Sequence, residues 1–367
     1  MDFNLKLLFT FFFFTLSLFS GQGSAGGFYG NLRHRHRSHP SRGTKLFVFG
    51  DSYVDTGNIL FPFSSAEQFP YGITFPGKPS GRFSDGRVLT DFAAKHLGVK
   101  SPIPFSIRSE VGEERLKESG INFAFGGTGV FNTLVPLPNM TTQIDLFEQL
   151  RDDESGLISN RDVHLSLALV SVSGNDYSFY LATNGSAQGL KPFINSVVNQ
   201  IMVDLRRIRR LGVKKIVVTG LGPLGCLPIF TAPFSFKQCN QTINSFVQFH
   251  NFLLKQAVDK LNKQITKQQH YSSSSSSSKI FILDVYDAFL SIIQGRGSGR
   301  VGLLKFKTPL KPCCFGVSSE FECGSVDEQG NKKFVLCNDP KSAFFWDSVH
   351  PTQTGWAHAF SSFTSFL

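Results

Sequence analysis

A chain of 367 residues, 41% hydrophobic and only 17% charged, with 40 phenylalanines, can bury a sizeable core and is not disordered, collagenous or coiled-coil. Its formal net charge of +10 shrinks once located: Arg33, Arg35, Arg37, Arg42 and Lys45 lie within residues 26–45 without an acid, and the remainder carries +5. So mild a charge over so long a chain requires no nucleic acid or other polyanionic partner.

The first predicted element is a processing signal. Lys6 precedes the apolar run Leu7 to Phe19, LLFTFFFFTLSLF, and small residues follow at Gly21, Gly23, Ser24 and Ala25, so residues 1–25 are expected to be a secretory signal peptide. The run has 13 residues, short of the ~20 that span a bilayer, which argues against a stable membrane anchor. Residues 26–43 have nothing to form a core and are expected to be a flexible basic arm. His34, His36 and His39 lie in it with no cysteine or carboxylate, a solvated tail and not a metal site. Residues 44–367 are expected to form one domain.

In that domain five short apolar runs read as buried parallel strands: Lys45 to Phe49, Ile121 to Phe125, Leu165 to Val172, Lys215 to Thr219 and Ile280 to Val285. Helical spacing joins Phe193, Val197, Ile201, Leu205 and Ile208, and again Ile243, Val247, Leu254, Val258 and Leu261. Val88 to Leu97, Thr142 to Leu150 and Pro351 to Phe366 are further helices, the last with Pro351 in its first turn. The alternation predicts a parallel sheet with helices on both faces. Arg206, Arg207, Arg209 and Arg210 read as a solvated helix face, and Ser272 to Ser278 as a loop that buries nothing.

Two nucleotide-like motifs fail on context. Gly220-Leu-Gly222-Pro-Leu-Gly225 follows a strand, but Cys226, Pro228 and Pro233 deny it the helix that would face a pyrophosphate, so it reads as a proline-braced turn. Gly72 to Lys78 resembles a phosphate loop, yet Pro79 stands where a magnesium-binding hydroxyl belongs. Six cysteines and sequons at Asn139, Asn184 and Asn240 agree with export. Fifteen disulfide connectivities are open. Cys226 with Cys239 would close a short loop, and Cys313, Cys314, Cys323 and Cys337 would staple the Gly-rich segment 295–338. Zinc is the disfavoured rival, since no Cys-x-x-Cys pair exists. The C-terminus carries neither a retention tetrapeptide nor a lipid-exchange tail, so export is expected to go to completion.

The α/β-hydrolase elbow Gly-x-Ser-x-Gly is absent. Instead Gly50-Asp51-Ser52 places a serine just past the first strand, at the carboxyl edge where parallel sheets build their sites. Gly127 and Asn175 arrive at the same edge after the second and third strands. With the Ser52 amide they offer three donors for a developing oxyanion. A serine hydroxyl needs a base, and His350, with Asp347 three residues before it and a helix start after it, has the best company of nine histidines. The carboxylate can hold the second ring nitrogen.

Taken in order, Gly50-Asp51-Ser52, Asp55-Thr-Gly57-Asn58, Asn122-Phe-Ala-Phe-Gly126-Gly127, Ser173-Gly174-Asn175-Asp176 and Asp347-Ser-Val-His350-Pro351 resemble the GDSL esterase/lipase family of the SGNH hydrolase superfamily. The blocks span about residues 45–365. Leu221 to Pro228, Cys313-Cys314 and the Phe-Trp-Asp-x-Val-His-Pro run are similar to its secreted plant branch. The resemblance implies a flavodoxin-like three-layer α/β/α fold around five parallel strands. It makes Ser52 the nucleophile, His350 the general base, Asp347 its orienting acid, and Ser52, Gly127 and Asn175 the oxyanion hole. It further implies ester hydrolysis through an acyl-enzyme without metal or cofactor. The substrates are lipid or other small acyl esters, with acylated polysaccharide a further candidate, outside the cell in the wall or apoplast; a monomer is the default. An acyltransferase built on the same acyl-enzyme and a non-catalytic wall- or lipid-binding protein are the alternatives. Tyr53 and Val54 depart from the family's commoner residues after the serine, which bears on substrate shape and not on chemistry.

Overall fold

The computed structural model describes residues 44–59, 64–153, 156–271, 278–295 and 306–363. The expected signal peptide and basic arm, the serines at 272–277 and the last four residues of the chain lie outside the described residues. Strands are β1 Leu46–Gly50, β2 Ile103–Pro104, β3 Ile121–Asn122, β4 Leu167–Ser171, β5 Lys215–Thr219, β6 Lys279–Leu283, β7 Cys314–Gly316 and β8 Phe334–Leu336. Helices are α1 Leu89–Leu97, α2 Glu113–Ser119, α3 Met140–Asp152, α4 Asn160–Leu165, α5 Asn175–Ala182, α6 Ala187–Arg210, α7 Pro228–Thr231, α8 Gln241–Tyr271, α9 Val285–Ile293 and α10 Gln353–Ser361.

The central sheet is parallel throughout, in the order β2-β3-β1-β4-β5-β6, with helices on both faces; β7 and β8 form a separate antiparallel pair. Its six strands correct the expected five. The addition, β2, is two residues long and sits at the edge, where Pro104 gives up no central ladder bond, and so short a pairing leaves no periodicity to read. Boundaries also move, and β3 ends at Asn122, short of the expected Phe125. Residues 160–165 form a capped helical turn, with Ser159 and Asp162 closing a capping box, so β4 starts at Leu167. Helix α10 begins at Gln353, because Thr352 is its N-cap and accepts from the Gly355 amide, which leaves Pro351 outside the helix. Ser278 is buried and its hydroxyl donates to Lys214 O at 3.1 Å, so the serine run does bury its last member.

Alternation along β1 divides the core. Phe47 and Phe49 face one layer, with Phe123, Ile144, Phe147, Ile201, Leu205 and Leu254, while Leu46 and Val48 face the other, with Leu89, Ala93, Phe289, Trp356 and Phe360. The rings of Phe49 and Phe147 meet edge to face at 5.6 Å, locking α3 over β1. Helix α6 is started by Ser186, whose hydroxyl accepts from Gly189 N, and it buries Ile194, Val197, Ile201, Leu205 and Ile208 along one stripe. Its arginine run is not uniformly solvated: Arg207 pairs with Asp145 and Glu148 of α3, and Arg209 reaches Ser278.

Asp204 of α6 is buried against α3. Its Oδ1 accepts from Gln200 at 3.0 Å, whereas Oδ2 has no hydrogen-bond partner among the described residues, and burial pushes the carboxyl up to about 7 against the opposing pull of Gln200, Thr141 and Arg207. The folded state therefore holds this proton up to about pH 7, while the unfolded chain releases it near 4. Its share of stability falls as pH rises through that window, by at most ~1.4 kcal/mol per pH unit. Asp204→Asn is expected to gain stability over wild type as urea unfolding is repeated from pH 5 to pH 8. A pH-independent difference between the two would contradict an uncharged buried Asp204.

Candidate active site

At the carboxyl edge of the sheet the chain leaves β1 through Gly50, at φ 142°. A Cβ there would lie 2.1 Å from Ser171 O of the neighbouring strand, so no larger residue fits. Gln143 of α3 grips the same peptide: Gly50 N donates to its Oε1 at 2.7 Å, and its Nε2 donates back to Gly50 O at 2.9 Å. A helical turn follows, with Val54 N and Asp55 N both donating to Asp51 O, and it holds Ser52 at 7% exposure.

From the other end of the chain, the turn between Trp346 and Pro351 brings His350 over that serine. His350 Nε2 lies 2.8 Å from Ser52 Oγ, and its Nδ1 lies 2.8 and 2.9 Å from the two Asp347 oxygens. Asp347 Oδ1 also accepts from the Val349 and His350 amides at 2.9 and 2.8 Å. Burial alone would raise the Asp347 carboxyl. The charge of His350 and these hydrogen bonds outweigh it and hold the group below the usual carboxylate range.

Gly127 turns at φ 77°, and a Cβ there would meet Val135 at 3.1 Å. Asn175 opens α5, and its Nδ2 donates to Thr128 O at 2.9 Å and, over a longer 3.4 Å, to Asp51 Oδ2. The backbone N–H groups of Ser52 and Gly127 have no acceptor among the described residues. Beyond Gly127, residues Asn132 to Leu137 line an open groove of about 600 Å³, tied to the site by Thr133 Oγ1 donating to Gly127 O at 2.7 Å.

The family profile described as GDSL-like Lipase/Acylhydrolase matches residues 46–363, which takes in both arms of this site and all of the chain between them. The chain belongs to the GDSL esterase/lipase family. It is similar to one GDSL esterase/lipase of Arabidopsis thaliana at 53% identity, covering 98% of this chain and 96% of that protein. A second from the same plant is 48% identical, over 97% of this chain and 96% of that one. Acetylajmalan esterase 2 of Rauvolfia serpentina is 29% identical, over 85% and 87%. This GDSL protein is accordingly a carboxylic ester hydrolase.

Several residues hold the candidate site together in ways the sequence does not announce. Asp51 accepts from Ser173 N at 2.5 Å, Ser173 Oγ at 2.7 Å and Tyr53 N at 3.2 Å; burial pushes its carboxyl up to about 6, though the Ser173 bonds oppose the rise. Asp55, raised to about 7 by burial, accepts from Gly57, Asn58 and Gly126 amides and so joins the serine turn to the Gly127 turn. Asp176 accepts from Val130 and Phe131 amides and fixes the loop beyond Gly127. Tyr53 donates to Val349 O at 2.9 Å, linking the serine turn to the histidine turn. Asp51, Asp55, Asn58, Asn122 and Asp176 stand in the motif blocks, but only their contacts across the fold reveal what they do.

The remaining candidates lie around this frame. The six cysteines form three disulfides, Cys226–Cys239, Cys313–Cys337 and Cys314–Cys323. Cys313 N and Cys314 N donate to Phe345 O and Trp346 O, so the last two bridges staple the backbone that leads into Asp347. Asn139 caps α3 by accepting from Thr142 N, Asn184 is exposed after α5, and Asn240 accepts from Ile243 N at the start of α8. Among the described residues no helix is long and apolar enough to cross a membrane.

Proposed function

We propose that this esterase cleaves acyl esters in two steps, with Ser52 as nucleophile. His350 Nε2 takes the hydroxyl proton as Oγ bonds to the ester carbonyl carbon, and the negative charge passes to the carbonyl oxygen. The Ser52 and Gly127 N–H groups receive that oxygen, together with an Asn175 hydrogen that turns to it from its long 3.4 Å bond to Asp51. Collapse breaks the ester C–O bond, and His350 gives its proton to the departing alcohol, leaving acyl-Ser52. Water then repeats the sequence and releases the acid. The carrying observation is the unbroken line from Ser52 Oγ through both ring nitrogens of His350 to Asp347, with every link at 2.8 or 2.9 Å.

In this reading the leaving alcohol faces His350 and the acyl chain runs from Gly127 into the groove lined by Leu134, Val135 and Leu137, an apolar surface suited to a lipid or other acyl ester. Export by the signal at residues 1–25, glycosylation at Asn139, Asn184 and Asn240, and action outside the cell complete the reading; the disulfides are consistent with an oxidising compartment. A fluorophosphonate probe is expected to add to Ser52 alone, read by mass spectrometry of the peptides. A screen of p-nitrophenyl esters is expected to show kcat/KM rising with acyl length until the groove is filled. Labelling elsewhere, with ester turnover intact, would overturn the assignment of Ser52.

A further inference from the structure

Nothing in the chemistry just described uses Tyr71, yet its hydroxyl donates to Asp347 Oδ2 at 2.8 Å across 276 residues of sequence, with the tyrosine 3% exposed. We infer that Tyr71 is a positioning residue for this site: its hydroxyl anchors Asp347 against His350 Nδ1 and keeps the carboxylate charged while the imidazole is neutral. The inference rests on the reading of Asp347 and His350 as the acid and base.

The phenol is fixed in place. Its ring meets Trp346 edge to face at 5.9 Å, and its backbone N–H donates to Gln68 O. The strap that carries it grips the histidine turn at further points. Ser84 Oγ donates to Pro351 O at 3.0 Å, Asp85 Oδ1 accepts from Gln353 N at 2.7 Å, and the Phe83 ring stands 5.1 Å from His350. A buried phenol needs only one acceptor, and a backbone carbonyl suffices for Tyr53. Tyr71 spends its hydrogen on a carboxylate instead, where donation favours the ionised form and lowers the proton affinity of the coupled Asp347–His350 pair. The hydroxyl itself stays protonated, since burial and the charge of Asp347 push it well above the ordinary tyrosine range.

Three other titratable groups act on the pair. Asp51 and Tyr53 lie on the serine turn, and both are raised by burial. Glu322, on the stapled turn, keeps an exposed face, yet desolvation by surrounding protein and the charge of Asp347 push it up to about 7.

The test is the pH dependence of kcat/KM with a short p-nitrophenyl ester. Tyr71→Phe keeps the ring on Trp346 and removes only the donor. Its acid limb is expected to move to higher pH by about one unit, with plateau kcat down roughly tenfold and KM unchanged. Placing 3-fluorotyrosine at position 71 makes a stronger donor and is expected to move the limb the other way, which decides the matter should Tyr71→Phe fail to fold. Glu322→Gln assigns the share of that carboxylate. A limb that stays in place when the position-71 donor is removed or strengthened overturns the inference, even where kcat falls. So does a limb that follows Glu322→Gln alone. Retained turnover in His350→Ala would instead sink the acid–base reading, and the inference with it, wherever the limb lies; an unmoved limb beside lost turnover in His350→Ala sinks the inference alone.

Discussion

Ser52→Ala is expected to lower ester hydrolysis by roughly three to six orders of magnitude while leaving the fold intact, since removal of one member disables a relay that works as a unit. The hydroxyl touches His350 and makes no other side-chain hydrogen bond among the described residues, so its loss costs little packing. The Gly50 peptide stays clamped by Gln143, and the turn stays closed by its own backbone bonds to Asp51 O. Unchanged thermal unfolding beside lost p-nitrophenyl ester turnover is the expected pair of results. Turnover within tenfold of wild type would remove Ser52 from the chemistry.

Asp347→Asn is expected to cost roughly four orders of magnitude in kcat, through the wrong imidazole tautomer. Two backbone amides donate to Oδ1 against the single Tyr71 hydroxyl at Oδ2, and a hydroxyl can turn to accept where an amide cannot; the new side chain therefore keeps its carbonyl oxygen at Oδ1 and puts its NH2 where Oδ2 stood. That NH2 faces His350 Nδ1 and donates to it. The ring hydrogen is then forced onto Nε2, the nitrogen that must accept from Ser52. Hydrolysis, thermal unfolding and fluorophosphonate labelling would be measured together. A folded variant that labels and turns over at the wild-type rate would show that Asp347 does not set the tautomer.

Much of this arrangement was legible before any coordinates. A strand is announced by apolar residues next to one another, and β1, β5 and β6 begin and end within two residues of where the pattern places them. Ser52, Asp347 and His350 were legible for a related reason: each stands in a short block whose local form, a strand exit or a turn before a helix, follows from its own residues. The strand at Ile103 was not legible, since two residues have no period. Gln143 and Tyr71 were equally silent, because a glutamine in a helix and a tyrosine in a loop have ordinary local explanations.

Alone, the residue order determined the alternation of strand and helix, the blocks that place the chain among GDSL esterase/lipases, and the side chains proposed for acyl transfer, because those properties are carried by neighbours in the chain. Only the tertiary structure decided which oxygen meets which nitrogen across 298 residues, how the cysteines pair, and that Tyr71 spends its proton on Asp347. A hydrogen bond is made or lost over a few tenths of an ångström. Separations that fine are set by how whole layers settle on one another, to which residues far apart in the chain contribute at once.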